Sequence, residues 1–182
     1  GTVMAYSKND IVQVTIEDIG VTGEGIGKID GYTLFVKDTV IGDIVEVKIM
    51  KATKNYGYAR LMNIITPSKD RVTPECNIAR QCGGCQLQAM SYAAQLKYKQ
   101  KLVSDNLQRI GGLTEGVDYE MCDILGMDTS FRYRNKAQYP VGEDKDGNII
   151  MGFYAGHTHS IIPCDDCLLG DEDNSVILTA VK

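Results

Sequence analysis

No run of apolar residues in this chain of 182 approaches the roughly 18 that a membrane-spanning helix needs, and nothing near its start reads as a basic segment leading into a hydrophobic signal core. A soluble cytoplasmic protein is therefore expected. Cysteine is also scarce. Six cysteines in this length are too few for a disulfide scaffold, which usually rescues much shorter secreted chains, so a metal site in a reducing compartment is the better expectation. Nucleotide-binding signatures are missing as well. In Gly20-Val21-Thr22-Gly23-Glu24-Gly25-Ile26-Gly27-Lys28, Ile29 stands where a P-loop needs Ser or Thr, and Thr22 stands where it needs Gly. The dinucleotide fingerprint would need Gly at Lys28 and a helix after it, so these glycines are read as bends between strands. Finally, there is no excess of positive charge: 19 basic residues face 24 acidic ones, a net of −5.

What is present divides the chain in two. Through about Ile65 the sequence is β-branched and punctuated by glycine, and Thr66-Pro67-Ser68-Lys69-Asp70 and Pro74 then interrupt it. The boundary predicted there separates residues 1–66 from residues 67–182. In the first part Val12, Val14 and Ile16 alternate with Gln13, Thr15 and Glu17, the period of a half-buried strand. Lys28-Ile29, the turn Asp30-Gly31 and Tyr32 to Val36 read as a hairpin. Ile44 to Ile49 and Tyr56 to Ile65 supply further strands. Five short strands bent at glycines predict an all-β, five-stranded barrel of OB type, whose closure removes exposed edges.

On the last of these strands Lys54, Tyr56, Tyr58 and Arg60 fall two apart and share a face. Two rings between two cations are suited to stacking bases and neutralising phosphates; a solvated face with tyrosines lying on their cationic neighbours is the alternative. The negative net charge does not oppose this, because the acidic residues concentrate late in the chain while basic ones cluster from Lys97 to Lys136. Local potential, not the sum, governs phosphate contact.

The second part reads as α+β. Ser91 to Ile110 contains no Pro or Gly and places Tyr92, Leu96, Val103, Leu107 and Ile110 at helical spacing until Gly111-Gly112, predicting one main helix. Phe131 to Tyr139 alternates, which predicts a strand with Arg132, Arg134 and Lys136 on one face, and Asp146-Gly147 turns the chain toward Ile149 to Tyr154 in an antiparallel hairpin. A row of three cations is a candidate phosphate contact; a facing acidic strand is the alternative.

Cys76, Cys82 and Cys85, with Gly83-Gly84 between the last two, have ligand spacing for a metal, and Cys164 and Cys167 follow much later. Two Cys-x2-Cys knuckles would suit zinc, as would Cys164 and Cys167 with His157 and His159. Roughly 80 residues between the knuckles, however, far exceed the 15 to 20 of zinc ribbons. Three clustered cysteines plus one remote one equally suit an iron–sulfur cluster. Spacing alone leaves both open. Cys122, in a strand-like run, is expected to be a small core residue.

Taken in order, Pro74-Glu75-Cys76, Cys82-Gly83-Gly84-Cys85-Gln86-Leu87-Gln88, the helix through Gln95 and Lys99, Tyr133-Arg134-Asn135-Lys136, and Gly152-Phe153-Tyr154 before Ile161 resemble the N-terminal half of the RNA uracil-C5 methyltransferases. The similarity is greatest to the ribosomal branch, which carries a TRAM domain and a [4Fe–4S] cluster, and it covers nearly the whole chain. It implies a TRAM barrel of OB type over the first part, followed by an α+β iron–sulfur domain. In that family the fourth cluster ligand follows a His-x-Ile-Val-x-Ile-x-x-Cys-x-Leu stretch. His159-Ser160-Ile161-Ile162-Pro163-Cys164-Asp165-Asp166-Cys167-Leu168-Leu169 aligns so that Cys76, Cys82, Cys85 and Cys167 are the implied ligands, with Cys164 in reserve.

The resemblance further implies RNA as partner, 23S ribosomal RNA before tRNA, and implies neither a protein partner nor a membrane. In the family S-adenosylmethionine is bound by a C-terminal Rossmann-like domain. That domain supplies the cysteine that adds to uracil C6 and the carboxylate that removes the C5 proton. None of that machinery is read here, so the chain is expected to be the front part of such an enzyme and inactive alone, its cluster serving as a structural staple. Other classes fit less well. A zinc-stapled RNA-binding module would share the basic strands. Radical S-adenosylmethionine enzymes with a TRAM domain use Cys-x3-Cys-x2-Cys and carry TRAM at the other end. An electron carrier does not need the basic and aromatic strands.

Overall fold

The computed structural model describes residues 5–182 and divides the chain into two compact units, the first ending at Met90 and the second running from Ser91 to Lys182. Five strands form the first unit: β1 (Ile11–Ile19), β2 (Gly25–Ile29), β3 (Tyr32–Val36), β4 (Ile44–Ala52) and β5 (Tyr56–Thr66). They close into a barrel in the order β1-β2-β3-β5-β4, with β4 pairing back onto β1 and β3 running parallel to β5. The expected five-stranded barrel is therefore present.

Alternation explains the core. Val14 and Ile16 of β1, Tyr32, Leu34 and Val36 of β3, Val45, Val47 and Ile49 of β4 and Ala59 of β5 all point inward and are buried together. Each large aliphatic side chain buried this way is worth about 1.5–3 kcal/mol over its exposed state. Asp30 and Gly31 have φ of 49° and 80°, as a two-residue hairpin turn with both central residues left-handed requires. Gly27 sits where β1 and β2 approach most closely: a Cβ there would lie 2.6 Å from the Thr15 carbonyl oxygen.

The chain beyond β5 is clamped back onto the barrel. Buried Asp43 accepts hydrogen bonds from the Val40 and Ser68 N–H groups, each at 2.8 Å, and forms an ion pair with Arg71 at 2.6 Å. Burial by itself pushes this carboxyl upward, but the hydrogen bonds from Arg71, Ser68 and Val40 and the Arg71 charge outweigh it and hold the group below its usual range. The first compact unit extends through Met90 and so includes this clamped segment.

The second unit begins with α1 (Tyr92–Asp105), whose N-cap Ser91 accepts from the Ala94 N–H, and a π turn over Asn106–Ile110 carries it to Gly111. The helix expected over 91–110 is found, but Val103 and Ile110 of the supposed core stripe are exposed. Residues 122–127 lie along α1 without forming a strand: Ile124 N–H donates to the Gln100 side chain and Met127 N–H to the Tyr92 hydroxyl. Cys122 in this run is exposed, contrary to the expected core position. A small antiparallel sheet follows in the order β6 (Val141–Glu143), β7 (Ile149–Tyr154), β8 (Ile161–Pro163). Its first turn is tied by the Asp144 carboxylate, which accepts from the Asp146 and Asn148 N–H groups. Helix α2 (Asp173–Val181) completes the described residues and was not foreseen. No helix among them is long and apolar enough to cross a membrane.

Candidate functional site: the barrel face and the cysteine loops

The outward residues of β5 meet those of both neighbouring strands. Tyr58 stands beside Phe35 of β3 and opposite Lys51 of β4; Arg60 stands opposite Lys48; Tyr56 stands beside Thr33, whose β2 partner is Lys28. Phe35 and Tyr58 stack with ring centroids 5.4 Å apart, and Tyr56 meets both edge-on at 6.0 and 5.9 Å. Tyr56 and Tyr58 remain 40% and 44% exposed, so these rings are available to a partner. The Arg60 guanidinium rests 3.7 Å from Met62 Sδ, which leaves most of its donors outward.

Of the predicted set, Tyr56, Tyr58 and Arg60 share this face as expected. Lys54 does not, because it lies in the bend between β4 and β5. Phe35, Lys28, Lys48 and Lys51 were missed because only strand register brings them beside β5. Period-two alternation gives a residue's face within its own strand and says nothing about which strand is adjacent.

The second predicted cationic row is not formed. Phe131–Tyr139 is not a strand; the partner of β7 in the hairpin is Val141–Glu143. Arg132 adopts a left-handed φ of 58° and turns its guanidinium onto the loop after β8. It binds the Asp166 carboxylate through two nitrogens at 2.7 and 2.9 Å and reaches the Cys167 and Gly170 carbonyls at 3.3 and 3.2 Å. The Asp166 hydrogen bond and charge hold Arg132 still more firmly protonated and depress the Asp166 carboxyl in turn. Arg132 is therefore a loop staple, while Arg134 and Lys136 remain exposed.

Cys76, Cys82 and Cys85 lie on one loop of the first unit. Its neck is closed by the Val72 N–H donating to the Ala89 carbonyl and by the bridge between Arg71 and Met90, and the Asp43 clamp holds that neck to the barrel. Within the loop, Ala79 N–H bonds the Cys76 carbonyl and Cys82 N–H the Ile78 carbonyl, while Gly84 N–H points at Cys82 Sγ, 3.4 Å away. The two glutamines of the motif close it: Gln88 accepts from Cys76 N–H, and Gln86 donates to the Gly83 carbonyl. The three cysteines are half-buried and outside disulfides.

The later pair differs between its members. Cys164 directly follows β8, its N–H on the Met151 carbonyl, and is 8% exposed; Cys167 is half-buried in the loop held by Arg132. Close by, Tyr139 packs its ring on Phe153 at 4.8 Å and buries its hydroxyl without a hydrogen-bond partner among the described residues. No three cysteine, histidine or acidic side chains are gathered into a metal-binding group among the described residues, and this includes the His157, His159, Cys164, Cys167 combination. In donor chemistry the cysteines fit a thiophilic group. Their thiols are soft donors, and the Gly84 amide points at the Cys82 sulfur.

Residues 8–62 match the TRAM domain family. Over 97% of its length the chain is 47% identical to a protein of Halalkalibacterium halodurans named as an uncharacterized RNA methyltransferase, of which it covers 38%. A protein of the same name from Clostridium tetani is 46% identical over 96% of the chain, which covers 37% of it. The crystal structure of the Pyrococcus abyssi tRNA (uracil-54, C5)-methyltransferase in complex with S-adenosyl-L-homocysteine superposes on 93% of this chain and 35% of its own with a TM-score of 0.60; at 21% identity this likeness shows the fold. The chain thus spans less than two-fifths of the length of these curated relatives. It carries a TRAM domain and is a homologue of proteins named RNA methyltransferases.

Proposed function

We propose that this chain is the RNA-recognition and cluster-binding part of a cytoplasmic, S-adenosylmethionine-dependent RNA uracil-C5 methyltransferase, acting on 23S ribosomal RNA. The observation that carries the RNA reading is the barrel face, where Phe35, Tyr56 and Tyr58 form a continuous aromatic platform flanked by Lys28, Lys48, Lys51 and Arg60. Exposed rings between cations suit unpaired bases whose phosphates run along the flank, a single-stranded rather than a duplex target. Lys54, Arg134 and Lys136 add exposed peripheral charge; Arg132 acts on RNA only through the loop it braces. The functional division falls at residue 66, with the barrel in 1–66 and the cluster-bearing region in 67–182.

A [4Fe–4S] cluster held by Cys76, Cys82, Cys85 and Cys167 is part of the same proposal. Cys167 is favoured over Cys164 because it lies on a braced loop, whereas Cys164 is buried at a strand end. The cluster, when bound, would tie residues 76–85 to residue 167 and so close a long loop, and the reading requires the three loop thiols to converge as it binds. The methyl-transfer chemistry and the S-adenosylmethionine site belong, in this reading, to a part of the parent enzyme outside these 182 residues.

The test is fluorescence anisotropy with a short uridine-rich single-stranded RNA. Tyr58→Ala is expected to weaken binding about tenfold, since base–aromatic stacking is worth about 1–3 kcal/mol per base. Equal affinity for the variant and the wild type would remove the platform from the account. A zinc-stapled RNA-binding module is the second reading, favoured by the two Cys-x2-Cys pairs.

A further inference from the structure

Between the first helical stretch and the small sheet, residues 111–140 hold no helix and no strand longer than an isolated bridge, yet their first part is fastened at defined points. Ile124 N–H donates to the Gln100 side chain and Met127 N–H to the Tyr92 hydroxyl, while a Cβ on Gly126 would come within 2.9 Å of Leu96 Cδ1. Thr114 N–H on the Asp118 carboxylate and Gly116 N–H on the Tyr119 carbonyl close a turn, which the Gln108 side chain ties to the helix end through the Tyr119 hydroxyl. The segment therefore has a set shape.

What this shape presents outward is apolar. Ile110, Val117 and Leu125 are 83%, 81% and 95% exposed, and Leu113 and Met127 are exposed with them. Single exposed apolar side chains are ordinary, but their concentration along one fastened stretch marks a surface that a partner covers. Charge narrows the partner. From residue 110 to residue 131 there are five acidic side chains, Glu115, Asp118, Glu120, Asp123 and Asp128, and no Lys or Arg. A polyanion would be repelled there, so the complementary surface is protein with a cationic rim. Length supplies the occupant. Two homologues match this chain over 97% and 96% of its residues, yet it covers only 38% and 37% of theirs.

We propose that residues 110–127 form a docking strip for the part of the parent enzyme outside these 182 residues, which covers Ile110, Val117 and Leu125 with an apolar surface rimmed by cations. This rests on the reading of the chain as one part of a longer enzyme, and goes beyond it by naming a surface through which the parts join.

Hydroxyl-radical footprinting, read by peptide mass spectrometry, compares the 182-residue chain with the full-length parent enzyme; Val21 in the turn between β1 and β2, as exposed as Leu125, is the reference. Oxidation of Ile110, Val117 and Leu125 is expected to be full in the chain and to fall several-fold in the enzyme, with Val21 unchanged. Equal oxidation in both proteins, or an equal loss at Val21, would overturn the proposal. So would protection already present in the 182-residue chain, from its own barrel or from a second copy, or protection that appears only when RNA is added. Leu125→Asp gives a second readout: it should leave the thermal midpoint of the chain unchanged and lower that of the enzyme, where it places a charge in an apolar contact. The same shift in both, or none in either, would count against the strip. A Tyr58→Ala variant that binds RNA like wild type, beside a protected strip, would remove the RNA platform and leave the docking strip standing; the opposite pair of results would remove the strip alone.

Discussion

The barrel and the second unit are stabilised in different ways. In the barrel, inward alternation on four of the five strands encloses Val14, Ile16, Leu34, Val36, Val45, Val47 and Ile49, and hydrogen bonding around the closed sheet leaves no edge. In the second unit the buried apolar residues, among those described, are Met151, Cys164 and Leu169, and neither α1 nor α2 buries a side chain. Val176 of α2 is 70% exposed, and Val103 and Ile110 of the first helical stretch are exposed as well. The first unit combines this closed apolar core with the buried Asp43–Arg71 clamp. The second relies on polar fastenings: Arg132 on Asp166 and the loop carbonyls, Asp144 on its turn, and Tyr92 and Gln100 on the strand-like run beside α1. A staple through cysteine would matter far more to such a region than to the barrel.

The largest effect that sharpens this contrast is expected at Asp43. Asp43→Ala leaves the Arg71 charge and two buried N–H groups unmet and should cost about 3–5 kcal/mol in denaturant titrations that follow the barrel. Leu34→Ala, a pure core truncation, should cost about 2–5 kcal/mol by the same measurement. If these changes unfolded the second unit at the same denaturant concentration as the barrel, the two would be one cooperative structure and the contrast would fail.

Acid provides a related test. The Asp43 pKa is depressed in the folded state, so its contribution is complete above the ordinary aspartate value of about 4 and is lost as pH falls through the lower folded value. Wild type should therefore lose barrel stability below about pH 4 more steeply than Asp43→Asn does. Parallel acid transitions would show that another group governs that range.

A smaller effect concerns recognition. Lys51→Ala should reduce the salt dependence of single-stranded RNA binding by about 0.7 in log–log slope, whereas Arg132→Ala should weaken the loop without changing that slope. An unchanged slope for Lys51→Ala would take the β4 cations out of the interface. The smallest effect is expected at Val103, whose exposed side chain in α1 makes Val103→Ala neutral to within about 0.5 kcal/mol by thermal unfolding.

The same contrast decided what could be read from sequence. Barrel strands were legible because one face of each is buried, so alternation at Val14 and Ile16 or at Leu34 and Val36 reflects a real inside, and Asp30-Gly31 marks its turn chemically. The helix over 91–110 was legible from its freedom from Pro and Gly up to Gly111-Gly112 and from its helically spaced apolar residues, although Val103 and Ile110 among these are exposed. Phe131 to Tyr139 misled for the converse reason. Little core enforces a strand there: the backbone of Arg132 and Arg134 bonds the Leu168 and Leu169 carbonyls instead, and the Arg132 guanidinium adds Asp166 and the Gly170 carbonyl. Within the candidate site, Tyr56 and Tyr58 were visible along one strand, while Phe35, Lys48 and Lys51 depended on cross-strand register that no single-strand pattern contains. The Tyr139 hydroxyl could not be foreseen at all, since a lack of partners is a property of packing.

The proposal that Cys76, Cys82, Cys85 and Cys167 hold an iron–sulfur staple is tested most directly by elemental analysis of the anaerobically purified chain. The account predicts about four iron and four sulfide per chain, with the broad visible absorption of a cluster held by four cysteines. About one zinc per chain, without sulfide and without visible absorption, would contradict it.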